Sequence, residues 1–144
     1  MRLVLDTSVL VAAVRSSLGA SRQLLIAGLK GRYSLLVSVP LMMEYQAVLL
    51  RQEHLEAGRV SAAAVEEILK AVASVAVPVR LAYLWRPMLR DPDDEMVLET
   101  AVNGAADYLC TLNTRDFAPA GQFGIAVVSP GKAWRLLEKS HEEK

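Results

Sequence analysis

The stretch Leu3-Val4-Leu5-Asp6-Thr7-Ser8 joins a short apolar run to an abrupt polar end. Its consecutive apolar residues place hydrophobic side chains on both faces of a strand, which is typical of a strand buried inside a parallel sheet. Asp6 ends the run, and the residues after it predict a helix over residues 7 to about 15. This stretch therefore predicts a central strand with a carboxylate at its carboxyl end.

The same alternation of strand and helix continues along the chain. It predicts strands at residues 33–38, 108–111 and 125–129, and an edge strand at 75–79, where Pro78 cannot donate to a central ladder. Helices are predicted at residues 20–29, 40–51, 61–73, 96–106 and 130–139, with loops near Gly58 and from 112 to 124. This pattern predicts a single-domain, three-layer α/β/α fold with a mainly parallel central sheet, at residues 1–140, and a charged tail at 141–144.

The stretch Arg90-Asp91-Pro92-Asp93-Asp94-Glu95 places four acidic residues directly before one of these helices. Asp93 or Asp94 is expected to cap the helix, with Pro92 just before the cap, because a carboxylate accepts hydrogen bonds from free N–H groups and suits the positive end of the helix dipole. Capping requires one carboxylate. The surplus of acids therefore indicates a further role.

Other acidic and amide side chains follow the predicted strands. Asp6 comes directly after the first strand, and Asn113 and Asp116 follow the strand at 108–111. Because ligands of parallel α/β sheets bind beyond the carboxyl ends of the strands, we expect these residues to meet the acidic stretch. Glu44 lies at the border of the apolar face of the third helix. Simpler explanations are a helix cap for Asp6, a turn residue for Asp116 and a solvated flank for Glu44.

Composition limits the class of protein. The 144 residues, 53% of them hydrophobic, suit one globular domain, and a net charge of zero argues against a broad basic surface. The single cysteine excludes an internal disulfide, and the two histidines have no partners at metal-ligand spacing. Because Leu3-Val4-Leu5 is followed at once by Asp6, we expect no signal peptide, and no apolar run reaches the roughly 18–20 residues that span a bilayer. A cytoplasmic protein is expected.

Five motifs in this order resemble the PIN domain, a family of metal-dependent ribonucleases. They are LVLDTSVL at residues 3–10, SVPLMME at 38–44, DPDD at 91–94, ADYLCT at 106–111 and NTRDF at 113–117. Residues 19–51 and the ending at 127–130 are most similar to the bacterial branch of toxin components akin to VapC-type toxins. The resemblance covers nearly the whole chain.

By position, the resemblance implies an acidic site and side chains that support it. The implied acids are Asp6, Glu44 and Asp94, and the supporting residues are Ser8, Asp93 and Thr111.

The position of the fourth acid stays open in this comparison. Many PIN domains have an aspartate two residues after the threonine, where this chain has Asn113. Others have an asparagine there and an aspartate three residues later, which matches Asp116. We take Asp116 as the fourth acid and as a metal ligand beside Asp6 and Asp94, with Asn113 in support.

The clustering of several carboxylates at one site has a physical explanation. Neighbouring carboxylates repel one another and tend to hold a proton when no metal is bound. Mg²⁺ and Mn²⁺ are hard cations that prefer carboxylate oxygen, so one or two of them neutralise the cluster, bind the phosphodiester and activate water for hydrolysis. The resemblance therefore implies an Mg²⁺- or Mn²⁺-dependent endoribonuclease.

An RNA substrate requires local positive charge. Arg15, Arg22, Arg115 and Lys132 lie in or near loops expected around the acidic edge, and they are the candidate phosphate-binding residues. RNA as the substrate is implied by the resemblance alone.

Partners are also implied by the resemblance, since toxin-like members bind a cognate antitoxin and commonly form homodimers. The third helix carries apolar residues around more than one face, which is typical of a helix that is fully buried or part of an interface. These residues, Met42, Met43, Leu49 and Leu50, predict a dimer through this helix or its neighbour after Ser61.

Other classes of protein also place acids at the edge of a parallel sheet. A response-regulator receiver usually has paired acids after its first strand and a later lysine, but Asp6 is alone and Lys132 matches imperfectly. A haloacid-dehalogenase-type phosphatase has aspartates two residues apart, whereas Ser8 stands two after Asp6. The more serious alternative is a non-catalytic PIN-like module that binds RNA or a protein, because Asn113 replaces an acid.

Overall fold

A five-stranded parallel sheet forms the centre of the protein in a computed structural model that describes residues 1–82 and 88–142. Its strands are β1 (Arg2–Leu5), β2 (Ser34–Val37), β3 (Val77–Pro78), β4 (Tyr108–Cys110) and β5 (Ala126–Val128), in the order β3-β2-β1-β4-β5. The predicted α/β fold is confirmed, and β3 lies at the edge as its proline predicts.

Strand β1 lies in the middle of the sheet, with Leu3 in register with Leu35 of β2 on one side and Tyr108 of β4 on the other. Leu3, Val4 and Leu5 have no exposed surface, as expected for a strand covered on both faces. From β1 the chain adds β2 and β3 on one side and then returns to add β4 and β5 on the other. The carboxyl ends of β1 and β4 therefore border the crevice where such sheets bind ligands.

Helices cover this sheet and, within the described residues, number seven. They are α1 (Thr7–Arg15), α2 (Ala20–Leu29), α3 (Val39–Leu49), α4 (Gln52–Gly58), α5 (Ala62–Val75), α6 (Pro92–Asn103) and α7 (Pro130–Glu142), with a 3₁₀ segment at Thr114–Phe123. Helix α1 contacts α2 and α3, α3 contacts α5, and α6 contacts the 3₁₀ segment. In the described part of the chain, no single helix is long and apolar enough to cross a membrane, although α1 and α2 reach that length and composition as a pair bent by 105°.

Besides α6, three segments differ from the prediction. Helix α4 replaces a predicted loop, and because none of its residues is buried it leaves no apolar periodicity to read. The 3₁₀ segment also replaces a loop, and its buried residues Phe117 and Ala120 have the three-residue spacing that this helix type requires. Helix α7 extends to Glu142, into the predicted tail, whose last residues, 143–144, lie outside the described residues.

The start of α6 corrects the expected cap. Asp91 is the N-cap, and its Oδ1 accepts a hydrogen bond from the backbone N–H of Asp93 at 2.9 Å. Pro92 occupies the first turn rather than the position before the cap, because its missing N–H is not needed there. Capping by Asp93 or Asp94 is therefore wrong, and the helix spans residues 92–103 instead of 96–106.

The cap predicts a difference between two variants that remove the same charge. Asparagine caps helices about as well as aspartate, whereas alanine cannot accept the hydrogen bond, so Asp91→Ala should be less stable than Asp91→Asn by about 1 kcal/mol. Urea unfolding without metal measures the two free energies. Equal stability of the two variants, with a difference appearing instead between Asp93→Ala and Asp93→Asn, would place the cap at Asp93.

Candidate active site

Asp6 is a buried carboxylate at the carboxyl end of β1, with 5% of its surface exposed. Its Oδ2 accepts hydrogen bonds from the hydroxyls of Ser8 at 2.7 Å and Thr111 at 2.8 Å. These bonds replace part of the hydration that the carboxylate loses on burial. Both hydroxyls therefore bind the same oxygen of the carboxylate.

The same two hydroxyls hold the loop that follows β4. Ser8 Oγ accepts a hydrogen bond from the backbone N–H of Leu112 at 3.2 Å, and Thr111 Oγ1 accepts one from the N–H of Asn113 at 3.0 Å. Each hydroxyl therefore donates to Asp6 and accepts from the loop. The position of the loop is thus tied to the Asp6 carboxylate.

The peptide bond between Leu5 and Asp6 is held from both sides. Tyr45, fully buried on α3, donates its hydroxyl proton to the carbonyl of Leu5, and the N–H of Asp6 donates to the carbonyl of Cys110 at 2.9 Å. Burial raises the pKa of Tyr45 well above its ordinary value, followed by the effect of the Asp6 charge, so the hydroxyl keeps its proton. Tyr45 therefore fixes α3 against the end of β1.

Helices α3 and α6, which carry Glu44 and Asp94, are joined by a buried pair of hydroxyls. Ser38 Oγ and Thr100 Oγ1 lie 2.7 Å apart, and Thr100 donates to the carbonyl of Met96 at 2.7 Å, so Ser38 is the donor within the pair. Ser38 also caps α3 by accepting from the N–H of Leu41 at 3.3 Å. One serine thus starts α3 and sets its position against α6.

The pKa values of the Glu44 and Asp94 carboxylates are raised by partial burial and, after it, by neighbouring acids. Partial burial raises the pKa of Asp94 to about 7, with further contributions from the charges of Asp6, Asp91, Asp116 and Asp93. The pKa of Glu44 is also raised, first by burial and then by Asp93, while Arg51 opposes the shift and Asp91 and Asp6 add to it. Acids from four segments of the chain therefore act on one another electrostatically.

Two clefts that share Asp91 and Asp94 contain these acids. The first cleft, about 530 Å³, is lined by acidic, polar, apolar and arginine side chains: Asp6, Thr7, Ser8, Val11, Ala12, Arg15, Glu44, Val48, Arg51, Asp91, Asp93, Asp94, Leu112 and Asn113. The second cleft, about 580 Å³, is lined by Met88, Leu89, Arg90, Asp91, Asp94, Arg115, Asp116 and Pro119. Asp94 lies where the two meet.

Comparison with known protein families assigns the chain. The model of the PIN domain matches residues 2–115, which include Asp6, Glu44, Asp94 and Asn113. The chain belongs to the PIN domain family. PIN domains are generally nucleases, and many are ribonucleases. None of the curated proteins compared with the chain matches it.

The fold brings most of the predicted residues of this PIN domain together. Asp6, Glu44, Asp94, Asn113, Ser8, Asp93 and Arg15 line the first cleft, Asp116 and Arg115 line the second, and buried Thr111 bonds Asp6 directly. Two predicted phosphate-binding residues lie elsewhere. The Arg22 guanidinium donates to the carbonyls of Ala13 and Val14 at the end of α1, and Lys132, in the first turn of α7, lines neither cleft.

Several residues of the PIN domain site were missed by sequence reasoning. Arg51 and Arg90 line the clefts, but each carries the ordinary signal of a solvated surface residue. Glu95 is 3% exposed, and its Oε1 accepts hydrogen bonds from the N–H groups of Met88 at 2.7 Å and Leu89 at 2.8 Å. Glu95 therefore holds the segment that leads to Asp91. In the sequence it shows no separate role among the four acids of its stretch.

The acidic side chains are the donor type that a hard divalent cation prefers, but as positioned they do not form a complete metal site. In residues 1–82 and 88–142, no group of three or more histidine, cysteine or acidic side chains is close enough to hold a metal ion. The donors are nonetheless all oxygens, which such an ion prefers, and burial followed by the neighbouring acids raises the pKa values of Glu44 and Asp94. Binding of a divalent cation would therefore require side-chain rotations that bring the carboxylates closer together.

The raised pKa of Asp94 predicts how the metal-free PIN domain responds to pH. Because the folded pKa, about 7, lies above the unfolded value near 3.8, the folded state holds the proton longer, and this residue makes stability fall as pH rises from about 4 to about 7. Asp94→Asn should flatten that fall and be more stable than wild type at pH 8. Urea unfolding across this range in EDTA measures it.

A suitable control is Asp107→Asn, which removes a carboxylate outside both clefts, where an amide oxygen can still accept from the N–H of Arg2. It should keep the wild-type pH dependence. If Asp94→Asn also keeps it, the Asp94 carboxylate is not crowded as described.

Proposed function

We propose that this PIN domain is an endoribonuclease that hydrolyses RNA phosphodiester bonds with Mg²⁺ or Mn²⁺. The observation that carries the proposal is the crowding of Asp6, Glu44 and Asp94, from three separate elements, around one cleft in a nuclease-type fold. Holding like charges together costs stability, and functional sites are where such perturbed groups concentrate.

The acidic residues have different roles in the proposed hydrolysis. Asp6 and Asp94 hold the cation, which when bound neutralises the acids and polarises the phosphodiester. The hydroxyls of Ser8 and Thr111 orient Asp6, and Tyr45 fixes the peptide that carries it. Glu44 lines the same cleft, where its raised pKa favours accepting a proton from the attacking water.

Asp116 is proposed as the fourth acid. It lines the second cleft together with Asp94, and its charge contributes to the raised pKa of Asp94. Asn113 lines the first cleft and is held there through its backbone by Thr111. Its amide carries no charge but donates and accepts hydrogen bonds, so it suits orienting water or substrate.

Arginines at both clefts supply the positive charge that a substrate requires. Arg15 and Arg51 line the first cleft, and Arg90 and Arg115 line the second. An RNA strand that crosses both clefts meets two arginines in each cleft, and Asp94 lines both clefts. This arrangement gives a protein of zero net charge a local phosphate-binding surface.

Within this proposal, the protein is the toxin component of a toxin–antitoxin pair that acts in the cytoplasm. The support is the similarity of residues 19–51 and 127–130 to the toxin-like branch. An antitoxin that covers the acidic clefts then regulates the same site.

The function is tested by RNA cleavage in Mg²⁺ and Mn²⁺. Asp116→Asn should lower the metal-dependent rate at least about tenfold, and Asn113→Ala by less, because only the aspartate supplies negative charge to a divalent ion. Rates are measured on structured and unstructured RNAs, with Asp107→Asn as the matched control that should retain the wild-type rate.

Other outcomes assign the site differently. The opposite ranking would place residue 113 at the metal. Full activity of Asp116→Asn together with inactive Asp6→Asn reduces the site to three carboxylates. If wild type cleaves no RNA with either ion, the domain is a non-catalytic module that binds RNA or a protein.

We also propose a homodimer through the outer surface of α3 and α5. Val39 and Met43 of α3 are 72% and 62% exposed, and Met42 and Leu50 border a groove between the two helices. Leu49, which the sequence grouped with them, is buried in the core. The remaining exposed apolar side chains suit a partner of equal chemistry.

Mass measurement at micromolar concentration tests the dimer. Met43→Glu should raise its dissociation constant at least about tenfold, because burying a methionine contributes about 1.5–3 kcal/mol and a buried unpaired charge opposes association. Leu18→Glu, at a leucine that is 91% exposed in the loop between α1 and α2, should leave the mass unchanged. A monomeric wild type would contradict the proposal.

A further inference from the structure

Glu95, the fourth residue of α6, is a carboxylate buried inside the protein. It is 3% exposed, and among residues 1–82 and 88–142 its Oε2 has no hydrogen-bond partner. Burying a charged group with incomplete hydrogen bonding lowers stability, so an apolar side chain would be the simpler choice at this position. The presence of a carboxylate is therefore explained by what its other oxygen binds.

The other oxygen of Glu95 holds the backbone just before α6. Oε1 accepts hydrogen bonds from the N–H groups of Met88 at 2.7 Å and Leu89 at 2.8 Å. Two residues after Leu89, Asp91 caps the same helix through its own side chain. Arg90 therefore lies between two backbone segments that are both tied to the start of α6.

Arg90 and Glu95 occupy two positions that are apolar in many helices. The residue before the N-cap often packs against the fourth residue of the helix, and this contact fixes how the chain enters the helix. Here Arg90 precedes the N-cap Asp91, and hydrogen bonds to Glu95 replace the apolar contact. The chain is thus held without the side chain of residue 90, which stays exposed and lines the second cleft.

We infer that Glu95 is a positioning residue that holds Arg90 in the second cleft, where the guanidinium binds a phosphate of the RNA. This role rests on the proposed ribonuclease function and extends it to a residue that lines neither cleft. Glu95 supplies a hydrogen-bond acceptor at this position. Glutamine has a carbonyl oxygen at the same place and can replace it, whereas leucine cannot accept the two hydrogen bonds.

The salt dependence of RNA binding tests this role apart from cleavage. Anisotropy of a short fluorescent single-stranded RNA is measured with Ca²⁺ in place of Mg²⁺ at several salt concentrations. The logarithm of the binding constant falls with the logarithm of salt concentration, with a slope of about 0.7 per phosphate contact on single strands. Arg90→Ala should reduce the slope by about 0.7, and Glu95→Leu should reduce it by the same amount. Glu95→Gln removes the same charge but should keep the wild-type slope.

Double variants show whether Glu95 acts through Arg90. In the Arg90→Ala protein, Glu95→Leu should weaken RNA binding no further, because the phosphate contact that it disturbs is already absent. The matched control is Arg115→Ala, which removes another arginine of the second cleft, carried by the 3₁₀ segment. Combined with Arg115→Ala, Glu95→Leu should have its full effect, since the two residues hold different segments.

Hydrogen exchange and urea unfolding separate a lost contact from a lost fold. The amides of Met88 and Leu89 should exchange faster in Glu95→Leu than in wild type, and at the wild-type rate in Glu95→Gln. If Glu95→Leu does not fold, Glu95→Gln decides the matter. Retained amide protection with a retained salt slope supports the role of Glu95, and retained protection with a reduced slope overturns it.

The remaining outcomes distinguish this role from the proposed function. Additive effects of Glu95→Leu and Arg90→Ala, or equal weakening by Glu95→Leu and Glu95→Gln, would overturn the role even if the protein cleaves RNA. A wild type that binds no RNA would overturn both. Conversely, binding that depends on Glu95 through Arg90, without any cleavage, supports the role and rejects the nuclease.

Discussion

A buried carboxylate at the end of the central strand is the constraint on which the site depends. Asp6 keeps 5% of its surface exposed, so its loss of hydration must be offset by hydrogen bonds within the protein. Ser8 and Thr111 provide them, and each passes the contact on to the loop after β4. Tyr45 holds the peptide before Asp6. The arrangement of one acid therefore determines where α1, α3 and β4 meet.

Crowding of acidic side chains is the second constraint. It destabilises the folded state that the hydrogen bonds around Asp6 stabilise. The raised pKa values of Glu44 and Asp94 mean that the fold holds these groups where their charged forms are disfavoured. Hydrogen bonds such as the Ser38–Thr100 pair, which fixes α3 against α6, keep the segments together despite this repulsion. Such repulsion lowers the stability of the folded state, and in the proposed function a bound cation would relieve it.

Much of the architecture followed from local patterns. The apolar run at Leu3-Val4-Leu5 predicts a central parallel strand because both faces of such a strand must be covered, and Pro78 predicts an edge because it lacks an N–H. The positions of Asp6, Asn113 and Asp116 after strands also predicted that they would lie at the carboxyl edge of the sheet, whereas Glu44 was implied by the family resemblance. Helix α4 was not predicted, because a helix with no buried residue leaves no apolar periodicity in the sequence. The 3₁₀ segment was not predicted, because its two buried residues, Phe117 and Ala120, are too few to establish a period.

The sequence by itself thus determined the parallel sheet and the identity of the acids around its edge. Tertiary structure alone decided how they are held. Thr111 and Asp6 are 105 residues apart in sequence, so their hydrogen bond could not be predicted from local pattern. In the sequence Tyr45 looks like an ordinary core residue, and only the structure shows that its hydroxyl donates to the carbonyl of Leu5. Arg51 lines the cleft whereas Arg22 binds backbone carbonyls at the end of α1. Local patterns report burial and helix phase, but the partner of a polar side chain depends on which distant segment packs beside it.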